Sequence, residues 1–189
     1  LAVSALATGT EIGTPIPVRD INVLVSPEGS SPSDLVALGT TLYFVAVTRP
    51  EGDALWRSDG TEAGTVLVKD TLPEGLDSYI GRLTDVGGTL FFVADDGVHD
   101  VELWKSDGTP AGTVMVKDIY PGSSGGSSGS NLGHLTDVDG TLFFAGSDAT
   151  HGVELWKSDG TEAGTVLVKD IRPGAATSSS SPMYLTAIG

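Results

Sequence analysis

The sequence predicts an all-β chain of four-stranded antiparallel meanders stacked as the blades of a β-propeller, on three observations. Residues 35–70, 83–118 and 135–170 align with one another without a gap, and a period that long marks one copied supersecondary unit. Inside each copy, apolar runs rich in Val, Thr, Phe and Leu are separated by glycine-bearing turns, the pattern of strands joined by hairpins. Runs such as Thr89-Leu90-Phe91-Phe92-Val93-Ala94 carry apolar side chains at successive positions, so both faces of the sheet need cover. Stacking sheets around an axis provides it, and the spacings of 48 and 52 between Trp56, Trp104 and Trp156 suit a blade.

In chain order, residues 1–21 read as the degenerate last hairpin of a partial blade. Gly9-Thr10-Glu11-Ile12-Gly13-Thr14 and Val18-Arg19-Asp20-Ile21 repeat, with one extra residue, Gly60 through Thr65 and Val68-Lys69-Asp70. Ala5-Leu6-Ala7 also has the small-x-small form of a signal cleavage site, but no positive n-region precedes it, and the strand reading is preferred. Blade one spans 33–70 and is the most diverged copy, keeping mainly apolar and turn positions such as Leu42, Phe44, Leu55 and Gly64. Blade two spans 82–119, with strands expected at 82–86, 89–94, 101–106 and 113–119, near the usual ~5–6 residues. Its turns, at Gly87-Gly88, 95–100 and 107–112, hold residues that tolerate positive φ. Blade three spans 134–171. Inter-blade loops occupy 22–32, 71–81, 120–133 and 172–182; the Gly/Ser-rich stretch within 120–133 has a disordered composition but the position of a surface crossover. Residues 183–189 begin a further blade, since Leu185-Thr186-Ala187-Ile188-Gly189 matches Leu83 through Gly87. Three complete and two partial units predict either a segment of a longer chain or a ring completed by another copy.

Composition excludes several function classes. Twenty-five acidic against ten basic side chains give a net charge of −15, which repels phosphate backbones, so nucleic acid is not an expected partner. Without cysteine there is neither a disulfide nor a thiolate metal site. No apolar stretch approaches the ~18–20 residues of a membrane span.

Ala54-Leu55-Trp56-Arg57-Ser58-Asp59-Gly60-Thr61 and the two Glu-Leu-Trp-Lys-Ser-Asp-Gly-Thr copies starting at Glu102 and Glu154 resemble the ELWxxDGT repeat family of bacterial proteins. The resemblance covers nearly the whole chain. It implies long, propeller-like, secreted or surface-exposed proteins, and hence an extracellular or bacterial cell-surface location. Its signature positions here are Trp56, Trp104, Trp156, Asp59, Asp107, Asp159, Gly60, Gly108 and Gly160. Ala54 departs from the motif's Glu, which argues against a required catalytic role for that column.

Residues that follow the repeat are explained by the fold, so a site is sought where the repeat is broken. The Asp of each Asp-Gly-Thr turn is suited to accept backbone N–H bonds and fix the hairpin. Asp95, Asp96 and Asp100 place three carboxylates in one loop and are Ca²⁺ candidates, although the spacing is not that of a calcium loop. His99 and His151 share a loop column, where a turn role is preferred over metal or anion binding. His134 stands in a column with Arg82 and Asp34 and could point into the top surface. Core packing is preferred over sugar stacking for the tryptophans, and strand-end bonding is expected of Asp20, Asp70, Asp118 and Asp170. The pairs Lys105 with Lys117 and Lys157 with Lys169 are expected to form a solvated face.

The expected function is non-catalytic: binding of a protein or glycan surface through inter-blade loops, or assembly with further copies or the remainder of the chain, without a cofactor. A glycan-active hydrolase or lyase would need two carboxylates at non-repeating positions, and no such pair is identified. A structural subunit joined through unpaired end strands is the third class.

Overall fold

The computed structural model describes residues 17–21, 29–48, 52–72, 79–122 and 130–188. Residues 1–16 of the expected N-terminal hairpin, the Gly/Ser stretch at 123–129 and Gly189 lie outside them. The described residues form three four-stranded antiparallel sheets and no helix. The first holds β1 (Ser33–Leu38), β2 (Thr41–Thr48), β3 (Gly52–Ser58) and β4 (Val66–Lys69). The second holds β5 (Ile80–Val86), β6 (Thr89–Asp95), β7 (Val101–Ser106) and β8 (Val114–Lys117). The third holds β9 (Gly133–Val138), β10 (Thr141–Gly146), β11 (Glu154–Ser158) and β12 (Val166–Lys169). In each, strands are neighbours in chain order, as a meander requires. The described residues do not close into a ring.

The fourth strands are shorter than the sequence predicts, and side-chain chemistry explains it. In the second sheet Thr113 turns its hydroxyl to Ser106 and to the Thr109 carbonyl, while the Ile119 amide donates to Glu102, so neither joins the ladder. At the other edge β5 starts earlier than expected, because Ile80 and Gly81 pair with Ala94 and Val93 across a bulge.

The period of two in each strand sends alternate side chains to opposite faces, and both are buried. Tyr43 and Val45 of β2 pack with Leu90, Phe92 and Trp104 in a seam between the first two sheets. Phe91, Val93 and Leu103 turn the other way, to Leu142, Phe144 and Trp156 in the seam between the second and third. Phe92 and Phe144 are fully buried, each worth about 1.5–3 kcal/mol relative to an exposed side chain. Each stacks on the tryptophan opposite it across the ladder, Trp104 at 6.3 Å and Trp156 at 6.4 Å between ring centroids. Phe44, Ala46, Ala54 and Trp56 form a smaller cluster with Ile21 on the outer face of the first sheet.

Polar contacts lock the same seams and correct the expectation of a solvated face for Lys105 and Lys117, whereas Lys157 and Lys169 are exposed. Lys105 Nζ donates to the Gly160 carbonyl and Lys117 Nζ to the Thr165 carbonyl, both at 2.8 Å, tying β7 and β8 to the turn of the next sheet. Arg19 Nη1 donates to the Thr65 carbonyl in the same way, and its guanidinium lies 5.9 Å from the centre of the Trp56 ring. Arg19 therefore occupies the place of Lys117 two units earlier, as the alignment of 18–21 with 68–70 implies.

Candidate binding site

Most of the signature is engaged in internal bonds. In each hairpin between third and fourth strands, Oδ1 of Asp59, Asp107 or Asp159 accepts the amide and the hydroxyl of Thr61, Thr109 or Thr161 at 2.7–2.9 Å. These bonds, the hydroxyl first, hold all three carboxyls below the usual carboxylate range. The threonine hydroxyl in turn accepts the amide of Gly64, Gly112 or Gly164. Those glycines are required because a Cβ there would sit 2.0–2.1 Å from the aspartate oxygen. Gly60, Gly108 and Gly160 have φ of 84–89°, the left-handed region. Gly108 and Gly160 also receive Tyr43 and Phe91 of the preceding sheet.

The glutamate of the motif anchors the crossover. Glu102 is fully buried and accepts the amides of Ile119 and Tyr120. Burial pushes its carboxyl up to about 7 against those bonds, with Asp118 adding to the rise. Glu154 accepts the amides of Ile171 and Ser180 and the Ser180 hydroxyl. Burial raises its carboxyl too, but these bonds outweigh it and hold it low. With Ala54 in this column the first sheet uses Asp70 instead, which accepts the Leu72 amide at 3.0 Å.

The tryptophans are 5–7% exposed and offer no sugar platform. Asp95 accepts the Gly97 amide, and Asp96 accepts the amides of Val98 and His99 and lies 2.8 Å from His99 Nδ1. Asp100 is buried with φ of 54°. Among the described residues no three His, Cys, Asp or Glu side chains converge as a metal-ligand set, so these three carboxylates are not brought together as one. His151 pairs with Asp148 at 3.0 Å as His99 does with Asp96. In both loops the aspartate's hydrogen bond to the ring raises the imidazole, while the bonds from histidine outweigh burial and lower the aspartate. These loops are closed by their own bonds.

What remains is a row of unlike residues at one repeat position. Asp34, Arg82, His134 and Tyr184 have φ of 49°, 59°, 55° and 56°, left-handed conformations that non-glycine residues rarely adopt. The first three sit in bulges of β1, β5 and β9, where register shifts between Ser33 and Val36, between Gly81 and Thr84, and between Gly133 and Thr136. These three strands are adjacent across the stack. Asp34 Oδ2 accepts the Arg82 amide at 2.5 Å, the Arg82 guanidinium lies 3.8 Å from where a Cβ on Gly133 would be, and His134 Nδ1 accepts the Tyr184 amide at 3.4 Å. The rings of His134 and Tyr184 are 5.9 Å apart. Such backbone costs of order 1–3 kcal/mol per residue and here recurs with the bulge of each sheet's first strand.

Beside this row lies a cleft of about 320 Å³, lined by Arg82, Asn131, Gly133, His134, Ser181 and Met183 among others. A second cavity of about 250 Å³, bounded by Arg19, Ile21, Leu42, Phe44, Gly60 and Thr65, continues the outer seam of the first sheet. The column of Asp34, Arg82 and His134 was legible in the alignment; its backbone conformation was not. The match of Leu185 with Leu83 carried the signal that would have added Tyr184.

No protein-family model and no curated protein matches the chain. Among solved structures it is similar to the apo form of AtxE2 isopeptidase, at a TM-score of 0.52 and 16% identity, over 74% of this chain and 20% of that one. The chain thus spans about a fifth of the length of the isopeptidase structure. At that identity the likeness concerns the fold alone.

Proposed function

We propose that this chain is a non-catalytic segment of a β-propeller-like array of ELWxxDGT-type units, extracellular or at a bacterial cell surface, that binds a protein or glycan ligand. The observation that carries the reading is the division of labour within the repeat. Recurring residues are engaged in turns, crossovers and seams, while the column of Asp34, Arg82, His134 and Tyr184 varies in chemistry at positive φ, and two of its members, Arg82 and His134, line a cleft. That column supports binding over hydrolysis, because it contains one carboxylate and a glycosidase needs two. The seat combines Arg82 and His134 of the first strands with inter-blade residues Asn131, Ser181 and Pro182. Glycan and peptide arrays probed with the chain, with Ca²⁺ and with chelator, test this. Binding that weakens when Arg82 and His134 are replaced, with Ca²⁺ or with chelator, is expected. Absence of any ligand on either array would overturn the reading.

A specific observation favours assembly as a second role. Val68 and Val116 are 2% and 7% exposed because another sheet covers them, whereas Val168 is 44% and Ile171 52% exposed. The bare face of the third sheet carries Phe143, Lys157 and Lys169, counterparts of the residues that receive the next unit's turn elsewhere. A further unit of the same kind fits it.

A further inference from the structure

We propose that the cleft between β5, β9 and the segment 181–184 is a seat for an acidic monosaccharide, with Arg82 and His134 gripping the carboxylate. This rests on the binding reading above and names its ligand class. Arg82 is exposed, and the ion pairs among the described residues, His99 with Asp96 and His151 with Asp148, do not include it. The nearest acid in the row, Asp34, is directed to the Arg82 main-chain amide instead, leaving the guanidinium fork for a ligand.

His134 completes the grip. Its Nδ1 accepts the Tyr184 amide, so in the neutral imidazole the proton resides on Nε2, which is left as a donor, and His134 lines the cleft. The other walls suit a sugar ring. Asn131 and Ser181 offer neutral partners for hydroxyls, and Leu132, Ala145 and Met183 give an apolar floor for ring carbons. Tyr184, 84% exposed beside His134, presents an aromatic face at the rim. A volume of about 320 Å³ admits one pyranose with its carboxylate.

The test is a titration of the whole chain with D-glucuronate, D-glucose and an acidic-terminus tripeptide, followed in proton–nitrogen correlation spectra. Glucuronate is expected to shift the signals of Arg82, His134 and Ser181 and to bind at least about tenfold more tightly than glucose, the factor a charge-assisted pair supplies. Arg82→Gln removes the cation without enlarging the cleft. His134→Asn keeps an acceptor for the Tyr184 amide and a residue type that tolerates left-handed backbone. Each should weaken glucuronate by about tenfold or more while leaving the melting temperature in place. Equal affinity for glucose, tighter binding of the peptide carboxylate, or glucuronate binding unchanged in Arg82→Gln would each overturn the proposal. Array ligands that depend on Arg82 but carry no carboxylate would overturn this ligand class and leave the binding reading standing.

Discussion

A methyl group at Gly112 would fall 2.1 Å from Asp107 Oδ1, so Gly112→Ala must displace the carboxylate that holds the Thr109 amide and hydroxyl. The substitution is expected to cost about 1–3 kcal/mol, read as a lowered denaturation midpoint, through overpacking and lost turn bonds. The sequence displayed this glycine three times but not its reason, which is a contact made only when the hairpin closes. Glu102 gives a pH-dependent signature. Its folded carboxyl is raised to about 7, so its contribution to stability is complete below the unfolded value of 4.5 and is lost as pH rises through 7. Glu102→Gln lacks that dependence. Its stability relative to the parent chain should therefore improve by roughly 2–3 kcal/mol between pH 5 and pH 8, measured by chemical denaturation at both. The turn aspartates act oppositely, with lowered carboxyls whose stabilisation is lost only in acid.

The strands and their order were readable from apolar runs and glycine turns, since local pattern and meander topology coincide. Their ends were not: β8 stops at Lys117 because Ile119 is claimed by Glu102, a partner seventeen positions away. The seams were legible as apolar character on both faces, but the lysine bonds across them depend on how sheets face one another. Stability in such a stack is a sum of unit and neighbour terms. Phe144→Ala, which empties the seam between second and third sheets, is expected to cost about 3–5 kcal/mol. Hydrogen exchange should rise in 133–169 while β2 and β3 keep their protection. Equal loss of protection in all three sheets would contradict a stack of separable units.

At the scale of the whole molecule the repeat separates structure from recognition. Recurring columns build turns, crossovers and seams, and Arg82 and His134 of a variable first-strand column line a cleft. The assembly role proposed above predicts self-association of this chain through the exposed face of the third sheet. A native mass that is a multiple of the denatured mass, reduced by Phe143→Asp, would bear that out, and a monomer at every concentration would contradict it. The site was half legible: the alignment marks Asp34, Arg82 and His134 as a break in the pattern, but only three-dimensional placement shows that Arg82 and His134, both in bulges, line one cavity. The most direct measurement joins melting temperature to ligand binding in the Arg82→Gln, His134→Asn double variant. The account predicts an unchanged melting temperature with array ligand binding lost. A lowered melting temperature with binding retained would make the inner column structural and contradict it.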